Sequence, residues 1–407
     1  MIRSVSRRFT MAALCTALAA GSVALGGGGA ANAAPIYPVA DSDPFYAQTS
    51  AAADLEPGEP IAVRPMPPIA AFPDTAVWQV KFRSNNSQNE PIAATTTVLV
   101  PRNRPADGPL LSYQHIINAL GPRCAPSRTL YETDPDLVIR EAPALNVALQ
   151  RGWTVALPDH LGPNSAYGAA KLGGVITLDG IRAAQRVPEL ALAKSPVAMA
   201  GYSGGGMASA WAAALAPEYA PELNIVGVAE GGVPMNIGKM ANGLGLQPHP
   251  AFGLALAAAI GLEREYPDRL PISEQLNDEG LQLRNKVANA CTNGLLTAGA
   301  GKSAQQISKT TDMMTSKQAW EVLDENSVEL YPGVPKAPIF EWHSPTDVLI
   351  PVDSIDNTIR RYCDAGVAVQ QELFPSPDHL SSAVLGLPDA LNYLDARFRG
   401  EPAPSNC

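Results

Sequence analysis

The residues that carry the most chemistry are Gly201-Tyr202-Ser203-Gly204-Gly205, a G-x-S-x-G pattern. It ends an apolar run, SPVAMA, and opens an Ala-rich stretch, GGMASAWAAALA. A strand, a sharp turn and a helix in that order form a nucleophile elbow, in which the turn exposes the serine hydroxyl. Gly201 and Gly205 lack a Cβ, so strand and helix can close around Ser203. The Gly204 N–H falls at the helix N-terminus, where it can donate to an oxyanion. No Lys follows the glycines, which excludes a P-loop.

A serine nucleophile needs a base. The chain has five histidines, His115, His160, His249, His343 and His379. Where such an elbow carries the nucleophile, the acid and then the histidine follow it in the chain. His249 lies between two prolines in a helical region. His343 ends a strand and leaves little chain before it for an acid-bearing strand. His379 follows the strand-like VAVQQELF and a Pro-rich loop, then opens the last helix, and is the expected base. The acid should lie just past the preceding strand. APIFEWHSPTDVLIP places Asp347 there, with Asp353 as runner-up. Asp378 is excluded because neighbours on one loop rarely face each other. The carboxylate would hold the imidazole in its productive tautomer. Asp159, His160 and Glu230 also fall at strand ends and are left outside the catalytic set.

The elements that must position these groups alternate. Residues 76–84 and 93–101 read as an antiparallel pair. Residues 109–115, 154–159, 197–203, 224–232 and 337–344 are short apolar runs suited to a parallel sheet buried on both faces. APALNVALQRG, GIRAAQRVPELALA and GMASAWAAALAP between them read as helices, so the fold class is α/β with a mostly parallel central sheet. Residues 34–75 read as a Pro/Ala-rich arm. Residues 233–332 break the rhythm with helical segments, and they read as a helical cap inserted over the carboxyl edge of the sheet. The core is then 76–232 and 333–407. In the cap, the apolar stretch 251–262 is too short to span a bilayer. Its small residues Gly253, Ala255, Ala257, Ala258 and Ala259 leave room for an alkyl chain.

Composition narrows the function classes. The chain has 407 residues, 46% hydrophobic and 17% charged, enough for a large core and too weakly charged for disorder. A net charge of −10 argues against nucleic acid as a partner. No metal constellation and no dinucleotide fingerprint is visible, so neither metal nor cofactor is expected. Residues 1–33 carry Arg3, Arg7 and Arg8, an apolar stretch and A-N-A, the pattern of a cleaved export leader. Cys15 would leave with it. Cys124, Cys291, Cys363 and Cys407 remain, an even set suited to disulfides in an oxidising compartment, with three possible pairings.

Several motifs in series carry a more specific resemblance. SYQ followed by CAPS, PD-x-x-GP at 158–163, GYSGGG, GGVP at 231–234, HSPTD-x-x-IP and DH-x-S at 378–381 together resemble the secretory lipase family of the lipase A type, over roughly residues 40–407. The resemblance implies an α/β-hydrolase with a helical cap acting on carboxylic esters, acylglycerols included. Ser203, Asp347 and His379 match the triad positions and Gly204 the first oxyanion donor. The second donor comes from the loop 112–127, at Asn118, where many relatives carry Asp; an Asn still offers its backbone N–H. The resemblance also implies the pairs Cys124–Cys291 and Cys363–Cys407. The expected partner is an ester or lipid substrate, met at a lipid–water interface, with no membrane span in the mature chain; oligomeric state is left open. A short-chain esterase or an acyltransferase would share this fold. A non-catalytic binding protein is disfavoured by the filled triad positions.

Overall fold

The computed structural model describes residues 33–134, 137, 139–376 and 378–407. The leader expected over 1–33, Cys15 included, lies outside them but for Ala33. From Ala34 on the chain forms one unit.

Its centre is a sheet of nine strands among the described residues: β1 (Pro60–Met66), β2 (Thr75–Asn85), β3 (Pro91–Pro101), β4 (Leu110–Gln114), β5 (Thr154–Pro158), β6 (Val197–Tyr202), β7 (Ile225–Gly231), β8 (Ile339–His343) and β9 (Val369–Leu373). The order is β1-β2-β3-β5-β4-β6-β7-β8-β9. β1, β2 and β3 are antiparallel, β3 meets β5 antiparallel, and β5, β4, β6, β7, β8 and β9 run parallel. β4, β5, β6 and β8 are buried along their whole length, as strands covered on both faces are.

Helices cover both faces. α1 (Ala142–Gln150) lies on one side of the sheet, α2 (Ala170–Arg186) and α3 (Gly204–Tyr219) on the other. Between β7 and β8 come α4 (Ile237–Gly245), α5 (Phe252–Glu265), α6 (Asp278–Val287), α7 (Thr292–Gly299) and α8 (Lys317–Glu325), with shorter turns. α5, α6 and α7 share an apolar cluster that includes Phe252, Leu256, Ile260, Leu283 and Leu295. α9 (Val352–Asp364) joins the face of α2 and α3, and α10 (His379–Phe398) that of α1.

Two elements differ from the sequence reading. The arm 34–75 contains β1, an edge strand that tolerates Pro60 and Pro65 because its outer side owes no ladder hydrogen bonds. α2 begins at Ala170, ten residues before the helical run read at 180, and ends at Arg186, short of the 193 that run reached, because Pro188 cannot continue it. Gly173-Gly174 lies inside it as a contact surface. A Cβ on Gly174 would lie 2.7 Å from the Trp211 Cβ on α3.

Two disulfides close the fold. Cys124–Cys291 ties the loop after β4 to the start of α7, with Cα atoms 5.6 Å apart. Cys363–Cys407 ties the C-terminal tail to α9, at 5.4 Å.

Candidate active site

Parallel strands bring their carboxyl ends to one edge of the sheet, where the loops that follow converge. Asn118 follows β4, Ser203 follows β6, Asp347 follows β8, and His379 comes after β9.

Ser203 stands between β6 and α3 with φ 53° and ψ −121°, a strained conformation for a residue with a side chain. Its N–H donates to Gly231 O at 2.8 Å. The turn needs the two glycines. A Cβ on Gly205 would fall 1.9 Å from Gln114 O, and one on Gly201 would fall 2.5 Å from the Gly205 carbonyl carbon. Gly204 is the first residue of α3, so its N–H has no acceptor within the helix.

His379 and Asp347 are brought together across 32 residues of sequence: Asp347 Oδ2 lies 2.6 Å from His379 Nδ1. Burial pushes the Asp347 carboxyl up, but the His379 hydrogen bond and charge, with N–H donors from Leu349 (2.8 Å) and Ile350 (3.1 Å), outweigh it and hold the group below the usual carboxylate range. Among the described residues His379 Nε2 has no hydrogen-bond partner, Ser203 Oγ included. Such contacts commonly tighten only when substrate binds. The other acids are occupied elsewhere. Asp378 caps α10, accepting from Leu380 and Ser381 N–H. Asp353 pairs with Lys239 at 2.6 Å on the exposed side of α9.

Asn118 is buried beside Gly204: its Oδ1 is the atom nearest to a Cβ built there, at 2.5 Å, and has no hydrogen-bond partner among the described residues.

Tyr202 and Glu341, which the sequence did not single out, complete the setting together with Glu230, Asp159 and His160, the strand-end residues left outside the catalytic set. The Tyr202 hydroxyl donates to His379 O at 2.6 Å, and its ring lies 5.0 Å from the imidazole. Its only signal was its place inside G-x-S-x-G. Glu230 and Glu341 face each other on β7 and β8, fully buried. Glu341 accepts from His343 Nδ1 at 2.8 Å, whereas neither Glu230 oxygen has a partner among the described residues. Burial, then the Glu341 charge, pushes Glu230 up to about 8. Asp159 accepts from the Ser127 hydroxyl and N–H, and burial raises it to about 7. His160 Nε2 lies 3.0 Å from His115 O.

Two cavities share Ser203 and Asn118 in their walls. One is apolar and runs under α4, α5 and α8, past Ala255, Ala258, Ala259, Leu262, Met313 and Trp320. The other opens past His115, Thr292, His379, Val348, Leu380 and Val384. Among the described residues no group of three or more His, Cys, Asp or Glu is arranged to hold a metal, and no helix is long and apolar enough to cross a membrane.

Comparison with known proteins gives the site its context. The family described as "Secretory lipase" matches residues 137–406. The chain belongs to the secretory lipase family. Lipase A of Arthroderma benhamiae is 32% identical over 399 residues, covering 93% of this chain and 83% of the relative. A Mycobacterium tuberculosis protein described as a probable inactive lipase is 34% identical, covering 90% and 84%. The crystal structure of Candida antarctica lipase A in its closed state superposes with a TM-score of 0.84 at 30% identity, covering 90% of this chain and 89% of that one. This secretory lipase is an α/β-hydrolase, a lipase-like carboxylic ester hydrolase and a secreted protein.

Proposed function

We propose that this secretory lipase cleaves acylglycerols or related long-chain carboxylic esters through an acyl-enzyme on Ser203. The observation that carries the reading is the Asp347–His379 hydrogen bond, with Nε2 unpaired, on a cavity wall shared with a serine on a strained elbow. His379 Nε2 takes the Ser203 proton as Oγ attacks the ester carbonyl. Asp347 fixes the tautomer and offsets the imidazolium charge. The Gly204 N–H and a donor from Asn118 hold the oxyanion. His379 then protonates the departing alkoxide, and a water deprotonated by the same ring releases the carboxylic acid and frees Ser203.

Residues 233–332 act as the cap, and the apolar cavity takes the acyl chain. Each CH₂ it buries contributes about 0.8 kcal/mol. The leaving alcohol exits past the second cavity. Val348 (75% exposed), Leu380 (43%) and Val384 (72%) rim that opening and meet the lipid–water interface. The leader 1–33 is removed at export.

The testing experiment is hydrolysis of an ester series from acetate to long-chain acyl, with and without emulsion, by the wild type and Ser203→Ala. Long-chain turnover is expected, lost by several orders of magnitude in the variant together with labelling by a serine-directed phosphonate. Labelling that persists in Ser203→Ala removes the assignment. Absence of turnover in the wild type would place the chain with its relative described as inactive. Turnover of short esters alone would make it an esterase, and net transfer to an added alcohol an acyltransferase.

A further inference from the structure

The segment 115–121 has no regular secondary structure, yet His115 and residues 117 to 120 are buried. Buried irregular backbone must find hydrogen-bond partners elsewhere in the molecule. On the sheet side, His160 Nε2 lies against His115 O, and the Ile116 N–H reaches Glu141 Oε1 at 3.4 Å. Asn118 and Leu120 are held from the region between β7 and β8. Thr292 Oγ1 donates to Asn118 O at 3.0 Å. The Leu120 N–H donates to Ala290 O at 3.0 Å, and Leu120 O accepts from Arg264 Nη1 at 2.8 Å. The Leu120 side chain is fully buried in the apolar cluster of α5, α6 and α7.

Arg264, near the end of α5, is 3% exposed. All three of its guanidinium nitrogens donate. Nε reaches Ile36 O at 2.8 Å, Nη2 reaches Ala288 O at 2.8 Å, and Nη1 reaches Asn164 O (2.8 Å) and Ser165 O (3.1 Å) besides Leu120 O. Its hydrogen-bond partners are five backbone carbonyls rather than a carboxylate. Burial lowers the guanidinium to about 10, which still leaves it charged at neutral pH. A charge buried this deeply is held only where its donors are used. Here they join four segments far apart in sequence, one of them two residues from Asn118.

We propose that Arg264 is a positioning residue for ester hydrolysis: with Thr292 it fixes the backbone of the loop carrying Asn118, so that its donor faces the oxyanion formed at Ser203. The proposal rests on the assignment of Ser203 and Asn118 above. Arg264 touches no reacting atom and acts through Leu120 and the loop. The helices that line the acyl cavity therefore also set the oxyanion site, and a displacement of α5 is felt at both.

The test is kinetic, on nitrophenyl butyrate, well below each variant's melting temperature. Arg264→Lys keeps the charge but gives three donors on a tetrahedral centre in place of a planar fork. It should lower kcat roughly 10- to 100-fold with KM changed less than about threefold, the range expected when an oxyanion donor is misplaced rather than removed. Affinity for an alkyl boronic acid, whose boronate oxygen enters the oxyanion site, should fall in step with kcat/KM. Thr292→Val removes one hydroxyl donor at nearly constant volume. It should lower kcat about 3- to 10-fold at an almost unchanged melting temperature, and it decides the matter alone if Arg264→Lys does not fold. Arg284→Lys is the control: Arg284 holds Ala34 O at 3.0 Å from the neighbouring helix α6 and not the loop, so it should lower the melting temperature and leave kcat intact. An unchanged kcat and boronate affinity in Thr292→Val and in folded Arg264→Lys would overturn the proposal. Turnover surviving in Ser203→Ala overturns the site assignment instead, whatever these variants do.

Discussion

At Gly232 the chain turns past the imidazole with φ +51°, and its N–H donates to Trp342 O at 2.8 Å. A Cβ there would fall 2.5 Å from Tyr202 Cζ, 2.6 Å from its hydroxyl and 2.9 Å from His379 Cε1. Gly232→Ala therefore adds two costs, a side chain in the left-handed region, about 1–2 kcal/mol, and displacement of the ring pair that holds His379. The expected outcome is at least a tenfold fall in kcat, since reacting groups moved by about 1 Å can lose 100-fold. Gly366→Ala separates the two costs. It has φ +86° with nothing within 4 Å of its Cβ, so it should lower the melting temperature with kcat unchanged. Equal kcat losses in both variants would mean that the Tyr202–His379 contact is not what matters.

The helix α5 does two jobs on two faces. Ala258 and Ala259 line the apolar cavity, Ala255 lines it and also packs against the cluster with α6 and α7, and Ala257 is fully buried in that cluster. Gly253 packs against α7, where a Cβ would lie 2.0 Å from Leu295 O. The five small residues that read as one chain-length surface are thus divided by the helical period. Ala258→Phe should shorten the preferred acyl chain and leave acetate hydrolysis nearly intact. Gly253→Ala should instead overpack the α5–α7 contact, costing roughly 1–3 kcal/mol and lowering activity on every ester alike. Chain-length profiles and melting curves of the two variants check this. A uniform loss in Ala258→Phe, with a fall in melting temperature, would make that face ordinary core.

Two devices act on the whole molecule. Glu230 titrates at about 8 when folded, against about 4.3 in an unfolded chain. The folded state then binds the extra proton, so this group's contribution is fully present below pH 4.3 and is lost as pH rises towards 8. Glu230→Gln keeps the volume and cannot ionise. Its melting temperature should match wild type near pH 4.5 and exceed it by a growing margin up to about pH 8, beyond which the margin levels. A constant difference across that range would mean that Glu230 is ionised in the fold, or not buried at all. The second device is the tail. Asn406 donates its backbone N–H to Val369 O at 3.0 Å and exchanges side-chain bonds with the Gln371 backbone, covering the edge strand β9, and Cys363–Cys407 holds it there. Replacing both cysteines with Ser should cost about 2 kcal/mol or more. It should also raise aggregation on heating, because an uncovered edge can pair with another chain. Light scattering during a thermal scan reads both effects. An unchanged onset would leave the tail without a role at that edge.

What the sequence determined by itself was whatever is local in the chain. The elbow is five consecutive residues whose types are dictated by one tight turn, and the buried parallel strands are short, largely apolar runs. The helical interruption between β7 and β8 was legible for the same reason, as a long change of period. β1 was less so, because its prolines mimic a loop and only pairing along the sheet edge makes it a strand. What the tertiary structure alone decided is whatever depends on several segments at once. Asp347 stood out in the sequence by its place after a strand, but the 2.6 Å contact with His379 exists only because β8 and β9 are parallel neighbours. Arg264 carried no signal in the sequence, since backbone carbonyls from distant segments leave no trace in residue type. Glu230 read as a strand-end acid outside the catalytic set, and only the sheet register sets it against Glu341 in the dry interior, where ionising it costs more than keeping its proton.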